Sequence, residues 1–190
     1  MAAPQQSERT RPMRADARRN YGRLLDEART AFAEAGTEAS LEEIARRAGV
    51  GIGTLYRHFP DRYALVEAVF TAEITELRDR AEQLAADVSA PPADRLTRWL
   101  RSYIQYARTY GGLSGALLDH GRMAFCHETL TDAAEALVAP AHRAGSLRAE
   151  VTVREVLTLA TAIAWTTEKL PHDPDRLLEL VLNGLFTTPG

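Results

Sequence analysis

The stretch Gly49–Phe59, GVGIGTLYRHF, carries Gly51 and Gly53 at a point where the flanking pattern is helical. A glycine inside a helix costs about 1 kcal/mol relative to alanine, so something must offset it here. Just upstream, Ser40-Leu-Glu-Glu43 has the form of a capping box, in which Ser40 caps free backbone N–H groups and Glu43 reaches back. It opens a short helix with Leu41, Ile44, Ala45 and Ala48 inward, ended at Gly49; a second short helix carries Leu55 and Phe59, and Pro60-Asp61 starts a longer one. Two short helices joined by Ala48-Gly49-Val50-Gly51 make a helix-turn-helix, braced by helices on both sides. In that motif the second helix enters a DNA major groove with its N-terminal residues at the base edges. The glycines then have a use, because a missing side chain lets backbone N–H groups approach phosphate closely. Thr54, Tyr56 and His58 offer donors to phosphate oxygens. Ile52 and Arg57 are placed to read bases, isoleucine against a thymine methyl and arginine on guanine.

Outward from this motif nearly everything reads as helix. Residues 1–13 are polar, Pro-containing and aperiodic, which predicts a disordered basic arm. Leu24, Leu25, Ala28, Phe32 and Ala35 keep i, i+3, i+4 spacing up to Gly36. A helix over 62–88 is expected to run roughly 40 Å, long enough to leave one domain and enter another. Ser89-Ala-Pro-Pro92 breaks the chain, and further helices are expected at 94–110, 113–120, 123–144, 153–170 and 174–187. Thr152-Val-Arg-Glu155 forms another capping box, and Asp173-Pro174 supplies an N-cap with proline in the first turn. No strand and no repeat emerges, so the expected fold is all-α with about nine helices.

Composition narrows the function. The chain has 190 residues, 45% hydrophobic and 26% charged, as in ordinary globular proteins. No apolar run reaches the roughly 18 residues of a membrane helix, and the N-terminus lacks the apolar core of a signal peptide, so no membrane partner is expected. The single cysteine, Cys126, fits a reducing cytoplasm. The net charge of -3 argues against non-specific DNA packaging, which rests on phosphate neutralisation. That average hides an asymmetry: Arg9, Arg11, Arg14, Arg18, Arg19 and Arg23 face only Asp16.

Leu24 to Phe70, with SLEEIARRAGVGIGTLYRHFPDRYALVEAV at its heart, resembles the DNA-binding domain of the tetracycline-repressor (TetR) family. The string G-T-L-Y-x-H-F in register with A-G-V is far more specific than a generic helix-turn-helix. The match covers about a quarter of the chain, and later segments agree in helical layout and length. The resemblance implies a basic arm (1–13), a three-helix DNA-binding domain (14–70, motif at 40–59) and a helical ligand-binding and dimerisation domain (71–190). It places Thr37 and Ser40 at the DNA backbone, Thr54, Tyr56 and His58 on phosphates, and Arg62 on a phosphate from the start of the fourth helix. Gly51 and Ile52 depart from the family, which often carries serine and a polar residue there. The implied function is a homodimeric repressor, cytoplasmic and without cofactor, released from a palindromic double-stranded operator by a small-molecule effector.

The remaining segments fit that layout. Trp99, Tyr103, Tyr106 and Tyr110 fall within about 60° of one another on a helical wheel. With Met123, His127 and Trp165 they are the candidates for an effector pocket, against the alternative of ordinary core. In 174–187 the apolar residues cover about 240° of the circumference, against about 100° for a one-sided helix, so a second partner surface is expected. Val156, Ile163, Trp165, Leu177, Leu180, Val181, Gly184 and Leu185 are the candidates for a four-helix homodimer interface. His120, Cys126 and His127 lack zinc-ligand spacing, and no catalytic constellation is readable, so neither metal nor catalytic residues are assigned. The rival readings are an enzyme using His120 and His127, and a non-specific DNA-binding protein.

Overall fold

The computed structural model describes residues 10–118 and 124–186, with the side chains of 10–14, 37 and 112–126 set aside. Its eight α-helices are α1 (Thr10–Ala35), α2 (Leu41–Arg47), α3 (Ile52–His58), α4 (Arg62–Ala86), α5 (Pro92–Leu118), α6 (Ala124–Arg143), α7 (Val153–Lys169) and α8 (Pro174–Leu185). A 3-10 turn, Gly36–Glu38, follows α1, and one isolated antiparallel bridge joins Leu147 to Phe186. The chain divides into two compact units, 1–69 and 70–190, with the division falling inside α4.

In the first unit, α1 buries Leu24, Ala28, Ala31 and Phe32, while α2 adds Leu41, Ile44 and Ala45. Leu55 of α3, Phe59 beyond it and Leu65 of α4 complete this core. The α2–α3 turn is a Schellman motif: the Val50 N–H donates to the Ala45 carbonyl at 3.0 Å and the Gly49 N–H to that of Arg46 at 3.1 Å. Gly49 has a φ of 67°, and a Cβ there would stand 2.5 Å from the Arg23 guanidinium. The left-handed φ strongly favours glycine at that position.

The second unit is built on α5. Its Leu96, Trp99, Leu100, Tyr103 and Ile104 follow the i, i+3, i+4 period and sink among Ala133, Leu137, Val156, Ile163, Leu178 and Leu182. The Thr152–Glu155 capping box of α7 is complete, and Asp173 caps α8.

Four expectations need correction. The segments 94–110 and 113–120 form one 27-residue helix, α5. Gly111-Gly112 costs about 2 kcal/mol of helix propensity, which the packing of the preceding turns of α5 helps to offset. Residues 10–13 of the expected arm belong to α1, since Pro12 sits in a first turn, where proline is tolerated; residues 1–9 lie outside the described ones. Only half of the Ser40 box forms. Ser40 accepts from the Glu43 N–H at 3.2 Å but donates to Glu42 at 3.1 Å. The Glu43 carboxylate is taken instead by Arg46, with two contacts of 2.6 Å, and by Arg47 at 2.9 Å, because charged donors outcompete a backbone N–H. These guanidinium bonds, Arg46 first, lower the Glu43 pKa to about 2. Finally, Val156 and Ile163, expected at a partner surface, are buried in the protomer's own core.

Candidate nucleic-acid interface and effector cavity

Helix α3 is two-faced. Leu55 is fully buried and Phe59 nearly so, whereas Ile52 is 37% and Tyr56 46% exposed. Gly51, Gly53 and Arg57 are exposed, and Thr54 is half-buried. Ile52, Tyr56 and the two glycines thus form an outward surface over the first two turns of α3. A Cβ added at Gly51 or Gly53 meets nothing within 4 Å, and neither has a positive φ. The protein's own packing makes no demand for glycine there.

Other sequence candidates are more engaged with the protein. His58 is half-buried at the end of α3, its ring edge-on to Tyr21 at 5.9 Å, and Tyr21 lies 5.1 Å from Phe59. Nothing in the sequence pattern marked Tyr21 as the brace between α1 and α3. The Arg62 guanidinium donates to the Ala39 carbonyl, tying α4 to the segment ahead of α2; its first role is structural. Ser40 is exposed as the α2 N-cap, while the Thr37 side chain lies outside the described residues.

The aromatic stripe of α5 divides. Trp99 is pure core: it is fully buried, stacks on Tyr103 at 5.6 Å, and its Nε1–H donates to the Leu77 carbonyl at 2.9 Å. Tyr106 and Tyr110 pack near Phe70 and border an open groove between α4 and α5 that is rich in charge, with Glu73, Asp79, Arg80 and Arg98. Tyr103 instead points to α7, where its hydroxyl lies 2.8 Å from Thr161 Oγ1. Burial pushes the Tyr103 pKa up, so the hydroxyl keeps its proton.

Tyr103 is the floor of a cavity of about 550 Å³ between α5, α6 and α7. Of the sequence candidates it also brings in His127 and Trp165; Met123 lies outside the described residues. Leu130 and Leu157 supply apolar wall, and Thr131, Thr158 and Arg154 the polar part. The spacing Arg154, Thr158, Thr161, Trp165 runs i, i+4, i+7, i+11 along one face of α7, and that period was the signal available to find them. Trp165 is 61% exposed, with Lys169 Nζ 4.4 Å over its ring. Apolar exposure continues on Leu159, Leu170 and Leu180, with Gly184 exposed and Leu177, Val181 and Leu185 half-buried. No cluster of three metal-ligating side chains and no helix long and apolar enough to cross a membrane occurs among the described residues. His120 lies outside them.

Comparison with known proteins agrees with this geometry. Residues 24–69 match the model for bacterial regulatory proteins of the tetR family, and 91–187 that for the C-terminal domain of SbtR-like transcriptional regulators. The crystal structure of a TetR transcriptional regulator from Streptomyces coelicolor is 36% identical, with a TM-score of 0.75, covering 88% of this chain and 99% of that one. One from Mycobacterium vanbaalenii is 34% identical, with a TM-score of 0.73, over 93% of this chain and 100% of that one. An HTH-type transcriptional regulator of Staphylococcus aureus (strain USA300) is 37% identical over 76 residues, which span 40% of this chain and 41% of that relative.

Proposed function

Because the chain belongs to the TetR family of transcriptional regulators, we propose that it acts as a homodimeric repressor whose two α3 helices read a palindromic operator. The observation that carries this reading is the outward face of α3, with Ile52 and Tyr56 exposed beside two glycines that the fold itself does not need. Ile52 and Arg57 read bases, Thr54 and Tyr56 hold phosphates, and close backbone approach at Gly51 and Gly53 seats the helix. A two-fold axis formed by α7 and α8 sets the two α3 helices about 34–36 Å apart. An effector in the Tyr103 cavity releases the operator by binding the DNA-free conformation better, since a ligand with equal affinity for both states shifts nothing. Helix α4, which runs across the division between the units, is the element that transmits it.

The experiment selects genomic fragments with the purified protein and measures their affinity by mobility shift. Tyr56→Ala lowers affinity for every fragment about equally, whereas Ile52→Ala relaxes preference at one base position per half-site by about 1 kcal/mol. Both variants binding as tightly and as selectively as the parent would overturn the assignment of α3.

A further inference from the structure

The cavity between α5, α6 and α7 contains four hydroxyls, and their protons can be accounted for. Thr131 donates to the His127 carbonyl at 2.8 Å, Thr158 to that of Arg154 at 2.7 Å, and Thr161 to that of Leu157 at 2.8 Å. With its only proton committed, Thr161 must accept in its 2.8 Å contact with Tyr103, so Tyr103 is the donor. Among the described residues, every hydroxyl lining the cavity therefore has its proton committed and offers lone pairs. The remaining polar lining is of the opposite kind: Arg154 is a permanent cation, Trp165 has an indole N–H donor, His127 adds an imidazole, and no carboxylate lines the cavity among the described residues. Arg154 and Thr161 stand seven residues apart on α7, a separation of about 10 Å along the helix axis.

We infer that the cavity takes an elongated amphiphile about 10 Å long, anionic at the end that meets Arg154 and carrying a hydroxyl or N–H donor at the end that meets Tyr103 and Thr161. Its apolar middle lies on Leu157 and Trp165. An ether or ketone at the Tyr103 end would set lone pair against lone pair, which costs about tenfold in affinity. This ligand class rests on the reading of the cavity as the effector site.

The test uses the full chain and three probes of matched shape: 4-hydroxycinnamate, 4-methoxycinnamate and 4-hydroxycinnamyl alcohol. Calorimetry is expected to rank 4-hydroxycinnamate first, with each of the other two about tenfold weaker. Tyr103→Phe collapses the hydroxyl-over-methoxy ratio to within about twofold while leaving the carboxylate preference. Arg154→Gln does the reverse. Because each readout is a ratio within one variant, partial loss of folded protein leaves it unchanged. Equal binding of the hydroxy and methoxy probes, ratios indifferent to both substitutions, or no binding of any probe at millimolar concentration overturns the inference. A mobility-shift assay with the same probes separates the two levels. Probes that show the expected ratios but leave the operator complex intact count against the effector role alone, with the cavity chemistry upheld. Release by a probe that ignores Tyr103 and Arg154 overturns the ligand class alone.

Discussion

Gly53 lies on ordinary helical backbone with open space where a Cβ would go, so alanine should suit the isolated protein better. We expect Gly53→Ala to raise stability by about 0.5–1 kcal/mol in urea titrations and to weaken operator binding several-fold, because the new methyl meets DNA backbone. Tighter or unchanged DNA binding would remove the reason given for the glycine. Gly49→Ala should act in the opposite sense, losing about 1–2 kcal/mol through its left-handed φ while leaving the α3 surface unaltered. The sequence shows both glycines with equal clarity but not the difference between them. That difference depends on φ and on what lies within reach of a Cβ, which only the folded backbone defines. Arg62 teaches a related lesson: the family resemblance implies a phosphate contact, and only the folded chain shows its guanidinium also donating to the Ala39 carbonyl.

Among the elements, α2 carries the clearest pH signature. Glu43 titrates at about 2 in the folded chain, below its ordinary value of 4.5, because Arg46 and Arg47 hold the ionised form. A depressed folded-state pKa contributes stability that is present above pH 4.5 and is lost as the pH falls towards 2. The stability gap between the parent and Glu43→Gln, followed by thermal melts, should therefore narrow steadily across that window. A gap that stays constant would mean that the ion pairs contribute nothing at this exposed site. Helix type and most boundaries were legible, since apolar period and caps act locally. The fusion at Gly111-Gly112 was not, because packing against α6 and α7 is non-local and outweighs two glycines. The split of the α5 stripe was equally hidden: a wheel groups Trp99 with Tyr103, but the 2.9 Å bond to Leu77 makes one of them core and leaves the other beneath a cavity.

At the scale of the whole molecule, the wide apolar arc of α8 resolves into two parts. Leu178 and Leu182 are buried in the protomer, while Leu180, 52% exposed, stands with Gly184 on the other side. Periodicity showed that a surplus existed but not that Val156 and Ile163 are covered by the protomer itself, since a sequence marks apolar residues without saying which neighbour covers them. We expect Leu180→Glu to convert a sedimenting dimer into monomer and to reduce operator affinity at least tenfold, because two half-sites then bind independently. Sedimentation as an unchanged dimer would move the interface elsewhere. The two tryptophans have a practical consequence of their own. Trp99 is sealed with its indole N–H bonded, and Trp165 stands in solvent beneath the chain's single lysine. In the Leu180→Glu monomer their emission should separate into a blue component that iodide cannot reach and a red one that it extinguishes. The protein thus contains an intrinsic optical reporter at the mouth of the cavity and an internal reference beside it, with no label attached.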